Sequence, residues 1–249
     1  MSSKKRVLPS SDEATSITPA VKKRSAVSSN WRKVRGDKAV LAPVLKKQPR
    51  ALAAAAVTPV PLKDGVEVTR VLALDCEMVG TRDGESQAAR VTVVNSDGAV
   101  VLDSFIAPQV SVGDYRTAVS GVRPEHLVGA PSLLAVQRTL ADLLKHRVVV
   151  GHSVDLDFAA LKIAHPRFAT RDTAYYRPLM RAPRLSHSLR FLAKEYLKLD
   201  IQTGEHNPIE DATVAMRLYL MHAAEWEAFL LSRKPQHRKQ AQELRKKRE

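Results

Sequence analysis

The sequence predicts an α/β fold: a mixed sheet covered by helices and carried between disordered basic tails. Three observations predict it. Runs rich in β-branched residues come first and are joined by tight turns, helical and strand periodicities then alternate, and the excess positive charge sits at the two ends. The chain has 249 residues with 40 Lys and Arg against 26 Asp and Glu, a formal charge of +14 that favours a polyanionic partner. Residues 1–65 hold 14 basic and 4 acidic side chains, residues 232–249 hold 8 and 2, and residues 66–231 hold 18 and 20. The expected organisation is a basic disordered tail over 1–65, one domain over 66–231 and a basic C-terminal tail over 232–249.

Each element follows from a local pattern. Val71–Leu74 is an apolar run that opens onto charge and reads as a buried strand. Val91–Asn95 and Ala99–Ile106 are strand-like and joined by Ser96-Asp97-Gly98, a hairpin signal. After Pro131, apolar residues at 133, 136, 140, 143 and 144 have helical spacing, and Val148–Val150 follows as a short buried strand. Phe158 and Leu161 mark a short helix, Leu189, Leu192 and Tyr196 another, and Ala212, Ala215, Met216 and Tyr219 a last one. The stretch from Gln236 either extends that helix or stays loose.

The ends carry short basic clusters at Lys4-Lys5-Arg6, Lys22-Lys23-Arg24 and Arg32–Arg35, which read as nuclear-import signals, nucleic-acid arms or solvated tail. The single cysteine, Cys76, excludes an internal disulfide framework and a cysteine zinc cluster. No apolar run reaches the ~18 residues of a membrane span. The first thirty residues lack the apolar centre of a secretory signal, and Asp12 and Glu13 count against a mitochondrial presequence.

Three places carry possible chemistry. Asp75 and Glu77 stand two apart in a strand and so point to one face, with Cys76 turned the other way. Paired carboxylates repel unless a cation lies between them, and hard oxygen donors suit Mg²⁺ or Mn²⁺; a solvated strand end is the bland alternative. Second, Val148–Val150 runs into Gly151, His152, Asp155 and Asp157. Asp155 also reads as a helix N-cap, Asp157 as a first-turn acid favoured by the helix dipole, and His152 as a hydrogen-bonded core or loop histidine. Third, Asn207, Pro208 and Glu210 form a helix start, which puts Asp211 one turn in and His206 on the preceding loop. A loop histidine can take a proton from water near neutral pH, or can simply be exposed.

In order along the chain, Asp-x-Glu, Gly-His-x4-Asp and His-x4-Asp resemble the DEDD superfamily of 3′-5′ exonucleases, in its histidine subclass. The segments Asp75–Gly80, Ala89–Asn95, Asp114–Glu125, Arg171–Thr173, Ser188–Arg190, Glu210–Ala212 and Met216–Tyr219 resemble the RNA exonuclease 4 group of eukaryotic nuclear proteins. The match covers about residues 70–225; the loop Thr81–Gln87 is slightly shorter than is usual in the group. The resemblance implies a ribonuclease H-like five-stranded mixed sheet and 3′-5′ removal of mononucleotides from RNA, in ribosomal RNA processing in the nucleus, with the nucleolus as the expected site. It makes Asp75, Glu77, Asp157 and Asp211 the carboxylates for two Mg²⁺ or Mn²⁺ ions and His206 the general base. Asp155 falls two places early, so the spacing favours Asp157.

Met78 and Phe158 are then candidates for packing on the terminal base, although Phe158 also has core spacing, and Arg116 and Arg123 are candidates for phosphate contacts. The expected partner is RNA, pre-ribosomal by the resemblance, with no membrane and a monomer as the default. A nucleic-acid-binding ribosome assembly factor with a docking nuclease domain and a DNA exonuclease stand as alternatives, since no residue here identifies a reader of the 2′-hydroxyl.

Overall fold

An eleven-residue strand, β1 (Val71–Thr81), organises the domain. The apolar run that marks it in the sequence covers only its first four residues; Asp75 and Glu77 end that run, and the backbone continues as strand to Thr81. The computed structural model describes residues 57–183 and 185–246, with side chains from 233 onward outside that description. The three basic clusters of the first 35 residues therefore lie outside the described residues.

β2 (Ser86–Asn95) and β3 (Val100–Phe105) follow as a meander, each antiparallel to its neighbour. The Ser96-Asp97-Gly98 turn forms as expected: Gly98 takes φ 82°, and the Asn95 side chain accepts the amides of Asp97 and Ala99. Beyond the meander come β4 (Val112–Asp114), α1 (Thr117–Ser120), α2 (Pro124–Leu127), α3 (Leu133–Leu144) and β5 (Val148–Gly151). Next are α4 (Asp155–Ala160), β6 (Thr170–Asp172), the hairpin β7 (Met180–Ala182) and β8 (Leu185–Ser186), α5 (Leu189–Leu192) and α6 (Pro208–Lys246). A π-helical turn, Ala193–Leu197, extends α5.

The main sheet has the order β3-β2-β1-β5-β6, with β5 parallel to both β1 and β6. These are the five strands of the expected mixed sheet; a short sixth, β4, pairs with the far end of β1 at Gly80 and Thr81. Strand alternation sorts the core into two layers. Leu72, Leu74, Cys76, Val91, Val93 and Val149 pack with α3 and α4, whereas Ala73, Val94 and Val150 pack beneath α6. The sheet is thus sandwiched between helices.

Packing contacts reach back before residue 66. Val60 packs on the α3 side of the core, Arg138 Nη1 and Thr139 Oγ1 donate to the carbonyls of Val57 and Val60 at 2.7 and 2.8 Å, and the Lys63 amide donates to Val101 at 2.9 Å. These valines lie in a Pro-rich stretch without periodicity, so nothing local marks them as core. At the other end, α6 runs on through residue 232 to Lys246.

Candidate active site

Three elements deliver carboxylates to one cleft. β1 places the Asp75 and Glu77 side chains on the same face, and Cys76 points into the α3 side of the core. α4 delivers Asp157, which is buried and whose Oδ1 accepts the Cys76 amide at 3.1 Å, locking it against β1. α6 delivers Asp211 from its first turn; it is buried, and its Oδ2 accepts from Gln202 Nε2 at 2.9 Å. His206 stands on the loop before α6, its Nδ1 3.9 Å from Asp211 Oδ2. Ligand atoms of Glu77, His206 and Asp211 all lie within 4.8 Å of one another.

This crowding has an electrostatic cost. Burial, then the charges of Asp157, Asp211 and Glu77, push the Asp75 carboxyl well above the usual carboxylate range. Burial, with Asp211 alongside, raises Glu77 to about 8 despite the opposing influence of Arg90. Burial raises Asp157 and Asp211 as well, and lifts the Cys76 thiol. One buried oxygen, Asp211 Oδ1, has no hydrogen-bond partner among the described residues. Clustered hard oxygens and an orphaned buried acceptor match what a divalent cation needs from its donors, and the raised carboxyl pKa values mark a negative charge with no counter-charge beside it.

Backbone geometry explains why the elements meet. β5 ends at Gly151, where a Cβ would lie 2.7 Å from Val154 Cβ and 3.1 Å from the Leu74 carbonyl, so only glycine lets α4 and β1 approach this closely. Asn207 caps α6 through Oδ1 accepting the Ile209 amide at 3.1 Å, and Pro208 is the first helical residue, as the sequence indicated. Glu210 accepts the Gln202 amide at 3.4 Å instead of closing a local capping box.

Other expectations from the sequence change. Asp155 is the first residue of α4, not its cap, and lies in solvent 4.0 Å from Arg167. No side chain caps α4; Asp172 instead anchors the turn that leads into it, its carboxylate accepting the amides of Ser153 and Val154 at 2.8 and 3.1 Å and that of Ala174 in its own turn at 2.9 Å. His152 sits between the Thr173 hydroxyl, at 3.0 Å from Nδ1, and the His187 backbone, and burial lowers its pKa to about 4: a neutral structural histidine. Phe158 is buried in the core beside α3, the role its helical spacing also offered. Met78 is half-buried against the same core, next to a bulge that breaks the β1–β2 register after Glu77.

The two arginines also differ from expectation. Arg116 is exposed, in the left-handed region at φ 52°, and donates to Ser86 Oγ at 2.9 Å near the end of β1. Arg123 is already engaged: Nη2 pairs with Glu205 Oε1 at 2.5 Å and Nη1 donates to the Gly121 carbonyl at 3.0 Å. Because the His206 amide also donates to the Val119 carbonyl at 2.6 Å, α1 and the loop that follows it clamp the loop that carries His206. Asp172, Gln202 and Glu205 do not stand out in the sequence, since each acts on a residue distant along the chain or through a loop of no periodicity.

Comparison with known proteins bears on the family and the fold. Human RNA exonuclease 4 is 46% identical over 171 residues, covering 68% of this chain and 40% of its own length. RNA exonuclease 4 of Candida glabrata is 43% identical over 161 residues, 63% of this chain and 61% of its own. The chain thus spans about 40% of the length of several of these curated relatives. Among solved structures, the Neurospora crassa Pan2 catalytic unit, a protease and nuclease domain, superposes with a TM-score of 0.58 at 26% identity, covering 73% of this chain and 32% of that one. The Saccharomyces cerevisiae Pan2 module in complex with AAGGA RNA superposes at 0.57 with 27% identity, covering 76% and 36%. The fold is the ribonuclease H-like sheet of such exonuclease modules. Residues 72–219, from β1 to the third turn of α6, match the exonuclease family of the RNase T type, and the chain belongs to that family.

Proposed function

We propose that this chain is a metal-dependent 3′-5′ exoribonuclease that releases nucleoside 5′-monophosphates. The observation that carries the proposal is the convergence of Asp75, Glu77, Asp157 and Asp211, from three separate elements, on a cleft with His206 at its mouth. The four carboxylates would hold a pair of Mg²⁺ or Mn²⁺ ions, which when bound supply Lewis-acid activation of water and charge neutralisation at the leaving oxygen.

The chain's own residues do the rest. The acids remain ionised once their charge is balanced. His206 takes a proton from the attacking water, whose oxygen bonds to phosphorus while the P–O3′ bond breaks. The departing 3′-oxygen is protonated by solvent and becomes the new RNA end. Gln202 fixes Asp211, and α1 with the loop that follows it fixes His206, so both are oriented before substrate arrives. Relatives named RNA exonuclease 4 and neighbours solved with RNA support RNA over DNA. Ribosomal RNA precursors in the nucleus are the proposed setting, supported by the kinship and by the basic clusters of the first 35 residues.

The test is incubation of the purified chain with 3′- and 5′-labelled RNA and DNA, with Mg²⁺, Mn²⁺ or chelator. Mononucleotides released stepwise from the 3′ end of RNA, only with metal, are expected. Internal cuts, or digestion indifferent to chelator, would sink the proposal.

A further inference from the structure

A groove of about 970 Å³ lies at the opposite end of the sheet from the carboxylates, where β1 and β5 begin. From Arg70 to Glu77, seven residues of extended strand separate it from the cleft by ~23 Å. Its floor is apolar, with Leu140, Leu144 and Ile163, and Phe168 stands 78% exposed at its side. Its rim is cationic.

Arg70 and Lys145 are exposed and enter no ion pair among the described residues; Arg147 spends one donor on the Leu143 carbonyl, and Lys162 reaches only the neutral Gln109 side chain. The one carboxylate among the described residues of the lining, Glu227, is held by Arg171 through two hydrogen bonds of 2.6 and 2.8 Å. In a domain whose residues 66–231 hold more acids than bases, four cations around one groove whose acid is already engaged are a local inversion of charge.

We propose that this groove is a second contact for single-stranded RNA, gripping the strand upstream of the 3′ end that occupies the carboxylate cleft. The rim would neutralise phosphates, and Phe168 with the aliphatic floor would take bases without reading their sequence. The inference rests on the RNA-degrading reading above. It adds a consequence: affinity rises once the RNA is long enough to reach from the cleft to the groove.

The experiment measures anisotropy of a labelled four-nucleotide RNA and a labelled twenty-nucleotide RNA on the full chain, with Ca²⁺ in place of Mg²⁺ to balance the carboxylates while suppressing cleavage. Arg70→Glu with Lys145→Glu should weaken binding of the long RNA about tenfold or more and lower its salt slope by roughly 1.4, the value for two phosphate contacts on a single strand. Binding of the short RNA should stay within twofold. Phe168→Ala, which leaves the charges alone, should weaken the long RNA about fivefold or more with the salt slope unchanged.

Equal weakening of both RNAs, or of neither, overturns the groove proposal. So does displacement by polyglutamate of a groove-bound probe while long-RNA affinity is untouched by the substitutions, which would mark the groove as a seat for an acidic protein segment. A chain that binds long RNA through the groove but never shortens any RNA with Mg²⁺ or Mn²⁺ would keep this inference and remove the catalytic one.

Discussion

Two aspartates that stand two places apart have opposite surroundings. Asp157 is buried, bonded to the β1 backbone and surrounded by other acids, whereas Asp155 faces solvent beside Arg167. Asp157→Asn keeps the shape and removes a charge that the proposed cation site uses; RNA degradation is expected to fall by about a thousandfold or more, and the rise in melting temperature on adding Mn²⁺ to shrink. Asp155→Asn should leave both within twofold, and equal losses would show that the two positions are not separated as described. His152 makes a residue-scale prediction about pH. Its folded pKa, about 4, lies below the 6.5 of a free histidine, so protonation favours the unfolded chain. Its contribution is therefore fully present above pH 6.5 and is lost as the pH falls from 6.5 toward 4, at up to about 1.4 kcal/mol per pH unit. Urea unfolding of His152→Asn should show a flatter decline over that window than the natural chain; identical slopes would rule the effect out.

At the scale of elements, position is set by contacts that cross the chain. Asp172, at the end of β6, receives two amides just ahead of α4 and a third from its own turn, and so ties the entry of the helix that carries Asp157 to the sheet. Asp172→Ala leaves buried amides without acceptors and is expected to cost about 2–4 kcal/mol in urea unfolding, with Asp172→Asn costing less; a change below about 0.5 kcal/mol would contradict the role. The Arg123–Glu205 pair is exposed and adds little to stability, but it adjoins the loop of His206. Arg123→Glu should lower kcat about tenfold with KM little changed, and the added Glu205→Arg should restore most of it; a loss in KM alone would point instead to substrate contact. These devices also show what sequence can disclose. The Asn95-capped hairpin and the Asn207-Pro208 helix start are closed within a few residues, and the strand order Asp75-x-Glu77 fixes a shared face by pleat alone. β4, α1, α2 and the β7–β8 hairpin are two to four residues long, too short for any periodicity to register. Asp172 and Glu205 escape for another reason: each is an ordinary acid until a distant strand or loop is folded beside it.

For the whole molecule, the charge of +14 separates into parts with different work. Of the 14 basic residues in the first 65, all but Lys63 precede residue 57, the first of the described residues. The contacts of residues 57–65 make two truncations unequal. Removing residues 1–56 takes away 13 cations and 3 acids and no contact described above, so RNA affinity and its salt dependence should both drop while turnover at saturating RNA is kept. Removing residues 1–65 also deletes Val60 from the core and leaves Arg138, Thr139 and the Val101 carbonyl without their partners, three hydrogen bonds worth about 1 kcal/mol each. The longer truncation should thus be less stable than the shorter one by about 3 kcal/mol or more in urea, with the same loss of RNA affinity. Equal stability would mean that residues 57–65 lie on the domain without holding it; a large loss of turnover in the shorter truncation would mean that the basic arm enters the chemical step and that the two kinds of charge are not divided in this way.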